Sequence, residues 1–183
     1  SGTFDGNNKT VSGLYFNGDS TRIGLFGSSE ADGNIKNVGV VDSYFKGNNF
    51  VGGVCGRNDG TITNCYNAGN LTAIESSADI GGICGYNNGG TIANCYNTGT
   101  VTATGTVASV GGVCGCSTEL ILNCYNIGTV TAASSGADIS GICGYNFGPI
   151  KNCYYLADTE DENGGKTTAQ FVSGEVAYLL RSE

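Results

Sequence analysis

Residues 81–101 read GGICGYNNGGTIANCYNTGTV, a stretch in which Cys84 and Cys95 stand among glycines and asparagines. Taken alone it leaves its thiols four uses: catalysis, metal binding, disulfide bonding or burial. Its recurrence is what decides the fold. The phrase GTIANCYNTGT from Gly90 returns as GNIKNVGVVDS from Gly33, GTITNCYNAGN from Gly60, ELILNCYNIGT from Glu119 and GPIKNCYYLAD from Gly148, at intervals of 27, 30, 29 and 29 residues. A second phrase keeps step with it: FVGGVCGRN from Phe50, DIGGICGYN from Asp79, SVGGVCGCS from Ser109 and DISGICGYN from Asp138. Self-similarity at this period marks a solenoid, whose units bury their apolar faces only against their neighbours.

The composition fixes the kind of unit. Among 183 residues there are 32 Gly, one Pro and no Met, Trp or His, which suits short strands and frequent reversals and disfavours long helices. Each period carries three β-favouring runs, for example Thr91–Ala93, then 100–103, then 110–113, separated by Gly, Asn and Ser. Three strands in about 29 residues make one coil of a parallel β-helix, each coil ~4.8 Å above the last. The expected fold is therefore all-β, a β-solenoid that is right-handed as parallel crossovers usually are. Within the phrase Ile-x-Asn-Cys, an asparagine in the left-handed region lets Ile92 and Cys95 both point inward. Asn37, Asn64, Asn94, Asn123 and Asn152 then stack as one column, with either an axial amide ladder or separate surface turns.

The ends depart from the repeat. Residues 1–32 read as a first coil, residues 33–157 as the repeats, and residues 158–183 as an acidic loop followed by a helical cap. Thr167 and Gln170 have the spacing of a capping box. Phe171, Val172, Val176, Leu179 and Leu180 are expected to cover the open end of the core, since a bare terminal coil exposes unpaired strand edges.

The phrases GGICGYN and GTIANCYNTGTV, preceded by GTFDGNNKTVSGLYF and GLFG, resemble the GLUG-motif repeats of bacterial secreted and cell-surface proteins. The tail TTAQFVSGEVAYLL is similar to segments found after the last such repeat in surface proteins of Gram-positive anaerobes. The resemblance implies an extracellular region of a multidomain protein with spacer, attachment or adhesin-like roles. Its implied partners are the other domains of that protein and a host or bacterial surface glycan or protein. Such repeats also accompany some IgA-specific metallopeptidases, but the family offers no catalytic residues to carry over. Cys55, Cys84, Cys114 and Cys143 stand where the family often has Val, which suggests inward packing positions.

The chemistry open to these residues is narrow. A reactive cysteine needs a base or a cation beside it, and the chain lacks His. Cysteines repeating once per coil spread along the axis and cannot share one tetrahedral ion, so no cofactor or metal is expected. Two columns result, Cys55/Cys84/Cys114/Cys143 and Cys65/Cys95/Cys124/Cys153, either as reduced core thiols or joined by cross-column disulfides. Cys116 replaces Tyr86 and Tyr145 of neighbouring repeats and is expected to be an exposed, odd thiol. Tyr66, Tyr96, Tyr125 and Tyr154 come directly after the second column and alternate outward. With Asn67, Asn97 and Asn126 they form either a self-stacking shield or a ladder that binds glycan.

Eight Lys and Arg oppose sixteen Asp and Glu, and no basic residue lies between Arg57 and Lys151. That distribution gives no track for nucleic acid. No run is long and apolar enough for membrane insertion. A polysaccharide-active β-helix enzyme would need paired carboxylates or a carboxylate with a cation in a cleft, and the central repeats do not supply them. The chain is thus expected not to be an enzyme. The acidic stretch 158–164 is a candidate for weak Ca²⁺ binding, with a solvated loop as the plainer reading.

Overall fold

The computed structural model describes residues 2–106, 108–158, 160–161 and 163–181. The chain winds as a parallel β-solenoid whose strands pair, coil on coil, into sheets of eleven, five, four and five strands. One central coil shows the plan. Thr61–Thr63 and Tyr66–Asn67 form two arms of sheet 1, Asn70–Ala73 lies in sheet 2, Asp79–Gly81 in sheet 3 and Cys84–Asn87 in sheet 4. The next coil repeats it in register, with Ile92 under Ile62, Val101 under Leu71, Val110 under Ile80 and Cys114 under Cys84.

The three expected runs are all strands, Thr91–Ala93, Val101–Ala103 and Ser109–Gly111, and two further short segments per coil join them, here Tyr96–Asn97 and Cys114–Ser117. Two backbone devices divide the coil this way. The asparagine bend interrupts sheet 1 without leaving the ladder: Asn37, Asn64, Asn94, Asn123 and Asn152 have φ between 50° and 56°, a region that Asn enters at lower cost than most residues. A glycine then lets sheet 3 turn tightly into sheet 4, since a Cβ at Gly81 would run into the Cys84 carbonyl and the Cys114 Cα. The bend amides pair along the axis in two runs: Asn64 donates to Asn37 at 3.1 Å, and Asn152 donates to Asn123 at 2.7 Å and Asn123 to Asn94 at 3.2 Å.

Inside, side chains of one kind stack in columns. Ile62, Ile92 and Ile121 are fully buried, as are Val51, Ile80 and Val110. A coil cannot cover its own inner face, so this core exists only between coils.

At the C-terminal end the expected capping box is present. Gln170 N–H donates to Thr167 Oγ1 and Thr167 N–H to Gln170 Oε1, opening α1 (Thr168–Ser173). Gly174, at φ 85°, closes it and leads into α2 (Glu175–Leu179). The expected position of this pair is corrected by the structure: the helices lie against the outer face of sheet 1, where Phe171 sits 6.3 Å from the Tyr125 ring, and do not close the end of the core. Val172 is 82% exposed, and in the last coil Ile139 and Ile150 are 49% and 39% exposed. The reason is the path taken after Leu156. Gly165–Lys166 pairs in parallel with Tyr155 and Leu156, extending sheet 1 by one short strand, and the helices continue on that side. Tyr155 itself takes the inward column position of Asn126 and lies over Gly141, where a Cβ would meet its ring. Of the acidic loop, Thr159 and Glu162 lie outside the described residues.

Candidate functional site

The candidate residues occupy both faces of sheet 1 and the cores of sheets 1 and 4. Tyr66, Tyr96, Tyr125 and Tyr154 are aligned in register on the outer face. The rings of Tyr66 and Tyr96 stack at 4.8 Å with 2° between their planes, and those of Tyr96 and Tyr125 at 4.9 Å with 2°. Above Tyr66 lies Gly39, where a Cβ would strike the ring. The ladder thus covers its own ring faces and offers mainly edges to solvent. Burial, with the adjacent phenol second, raises the hydroxyl pKa of both Tyr96 and Tyr125. Tyr154 donates to Asn152 at 2.8 Å and lies 5.9 Å from the Lys166 ammonium.

Asn67, Asn97 and Asn126 are corrected from the outer face to the interior, at 0%, 0% and 3% exposure. The same two-residue alternation that turns each tyrosine out turns the next residue in. Each Nδ2 donates to the carbonyl two residues on, and along the axis Asn67 donates to Asn97 at 2.9 Å and Asn97 to Asn126 at 2.8 Å. A second interior polar column, missed in the sequence, begins with Ser29 donating to Asn58 at 2.6 Å. It continues from Asn58 to Asn87 at 2.7 Å and from Asn87 to Ser117 at 3.0 Å. The recurrent final residue of GRN, GYN and GCS was its signal.

All nine cysteines are free thiols and all are buried. In the second column each Sγ contacts the carbonyl two residues earlier, and those of Cys95, Cys124 and Cys153 accept the N–H of the cysteine one coil above. The Cys65, Cys95 and Cys124 amides reach Cys95, Cys124 and Cys153 at 3.4 Å each. The sulphur thereby satisfies an amide beside the asparagine bend that would otherwise be buried without a partner. Burial pushes the Cys84, Cys95, Cys114 and Cys124 thiols up, and hydrogen bonding from the preceding column thiol, ahead of burial, raises Cys143 and Cys153. Cys65, at the head of its column, is lowered by its hydrogen bond with Cys95. For the raised thiols these are poor conditions for nucleophilic thiolates.

Cys116 is corrected as well: it is 8% exposed rather than open to solvent. It lies in register between Tyr86 and Tyr145, whose larger side chains shield it. Burial, with Asp79 nearby, pushes its thiol up to about 12. Asp79 is the one strongly perturbed carboxyl, raised to about 6 by burial against a smaller opposing effect from the Ser109 hydroxyl. In the acidic loop, Asp161 accepts from Asn163 N–H at 2.9 Å, Gly165 N–H at 2.8 Å and the Tyr155 hydroxyl at 2.5 Å, and Glu160 pairs with Lys166. These two carboxylates already have partners. Among the described residues no three of His, Cys, Asp and Glu are grouped to hold a metal ion, and no helix is long and apolar enough to cross a membrane.

Comparison with known proteins places these columns in context. The family model described as the GLUG motif matches residues 76–102, so the chain carries a GLUG repeat. Halomucin of Haloquadratum walsbyi is 34% identical over 85 residues, which are 46% of this chain and 1% of that protein. This chain therefore spans a very small part of that relative's length. A crystal structure of a proposed immunoglobulin A1 protease from Bacteroides ovatus superposes with a TM-score of 0.70 at 19% identity, covering 96% of this chain and 72% of that one. At that identity the likeness is one of fold.

Proposed function

We propose that this segment is a non-catalytic spacer of a bacterial surface or secreted protein, holding neighbouring domains apart and presenting them. The observation that carries this reading is the unbroken coil-to-coil register of the isoleucine, asparagine, tyrosine and cysteine columns. Such repetition stiffens a rod of about 25 Å for five coils at the strand spacing. The GLUG repeat and the match to halomucin support a place at or beyond the cell surface. Most of the column thiols are held protonated, and the one strongly raised carboxyl, Asp79, has no close cationic partner, which suits architecture better than turnover. An adhesin role through the tyrosine ladder draws less support from the geometry, because sugars stack on ring faces and these faces cover one another.

The test is elongation. Duplicating residues 61–90 adds one coil, and small-angle scattering should show the particle lengthened by ~4.8 Å, with no product released from a polysaccharide panel by either form. New chain ends released from any polysaccharide would sink the reading, as would an inserted coil that loops out without lengthening the rod.

A further inference from the structure

Between sheets 1 and 2 the first two coils depart from the plan of the others. Val11 and Tyr15 of the first coil pair with Val40 and Tyr44 of the second, four residues apart in both. Val40 and Tyr44 in turn pair with Asn67 and Asn70, which are only three apart. The extra residue is Gly13 in one coil and Asp42 in the next, both left-handed, at φ 72° and 48°. Glycine makes that turn without strain, so the turn itself does not call for a carboxylate. A strained residue beside a surface hollow points to a use for its side chain.

Asp42, Tyr44 and Asn70 line a hollow of about 410 Å³, a size common among small-molecule sites. Its polar groups are unspent. The Asp42 carboxylate, the Tyr44 hydroxyl and the Asn70 amide have no hydrogen-bond or ion-pair partner among the described residues. Asn67, three residues before Asn70, has its amide bonded at both nitrogen and oxygen. Ser43 is committed to the turn, accepting Leu14 N–H at 3.1 Å and donating to the Val41 carbonyl at 2.8 Å. The hollow also has an uncovered ring face. Tyr15 stacks on one side of Tyr44, at 5.5 Å and 26°, but on the other side the column continues with Asn70, which has no ring. Tyr96, stacked on both sides, offers no such face.

We propose that Asp42, Tyr44 and Asn70 bind a neutral saccharide, its C–H face on the Tyr44 ring and its hydroxyls on the Asp42 carboxylate and the Asn70 amide. A carboxylate accepts from two neighbouring hydroxyls at once, and an amide both donates and accepts, which matches the edge of a sugar ring. The Asp42 charge repels an acidic sugar. The site goes beyond the spacer role and stands or falls apart from it, because a rod can lengthen by coils with or without a lateral sugar site.

The experiment adds methyl glycosides of glucose, galactose, mannose and N-acetylglucosamine to the full chain, with sialic acid as the acidic control. Saturation-transfer NMR reports contact, and titration gives the dissociation constant. Expected are millimolar binding of at least one neutral glycoside, no binding of sialic acid, and a shift of the Tyr44 ring resonances. Asp42→Gly copies Gly13 at the matching turn, and Asn70→Thr copies Thr100 and Thr129 at the matching positions of later coils. Both variants should therefore keep the native melting curve, and each should weaken binding about tenfold or more. Tyr96→Ala with Tyr125→Ala should leave it unchanged. If either site variant unfolds, the Tyr44 resonances of the native chain still decide. No bound neutral glycoside, preferred binding of sialic acid, unchanged affinity in either folded site variant, or Tyr44 resonances that do not move overturns the proposal.

Discussion

Asparagine does two jobs in this chain, and the side chain's surroundings separate them. At the bends, Asn94 holds φ at 54° and its amide is a secondary support. Asn94→Gly should therefore be nearly neutral, while Asn94→Ala should cost about 1 kcal/mol in denaturant unfolding, because a Cβ without a local hydrogen bond is strained there. Asn97, fully buried, donates to Asn126 and Gly99 and accepts from Asn67 and Gly99. Asn97→Leu should cost about 3 kcal/mol or more, since it strands donors and acceptors on both neighbouring coils. Asp79 gives a pH signature. Its folded pKa of about 6 lies above the ordinary 3.8, so the folded chain holds this proton more tightly than the unfolded chain does. The resulting stabilisation is complete below the ordinary value and is lost as pH rises through about 6. Asp79→Asn should accordingly gain about 1 to 2 kcal/mol at pH 7.5, and the gain should vanish near pH 4, as monitored by unfolding at both pH values.

At the scale of the element, the tyrosine ladder is a stabilising device. Tyr96→Ala with Tyr125→Ala removes both stacked contacts that hold the Tyr66, Tyr96 and Tyr125 rings together. The pair should lower stability by about 2 to 3 kcal/mol and leave binding to a glycan panel as it was. A loss of glycan binding in a variant that remains folded would assign the ladder to recognition instead. Much of this element was legible in the sequence: the outward alternation of the tyrosines and the left-handed bends both come from a period of two and the properties of Asn. The inward position of Asn67, Asn97 and Asn126 was equally available from that alternation, but an amide at a core position runs against polarity. Only the axial amide chain, made by neighbours some thirty residues away, reconciles the two. Cys116 escaped for a related reason, because its shielding comes from Tyr86 and Tyr145 in other coils.

For the whole molecule, stability should be graded along the axis, because each coil is covered only by its neighbours. Ile92→Ala, at a fully buried position between two coils, should cost about 3 to 4 kcal/mol, whereas Ile150→Ala, 39% exposed in the last turn, should cost less than about 1. Equal effects in denaturant titrations would mean that the last turn is covered in solution. The sequence by itself determined the period, the strand-rich coil, the bends, the two cysteine columns and the capping box, because each is a local pattern repeated at fixed spacing. Only the tertiary structure decided what each column faces: the helical pair beside sheet 1 instead of across the core's end, the buried Cys116, and the amide chains within the core. Burial in a solenoid is conferred by the coils above and below, and no single period of the sequence contains them.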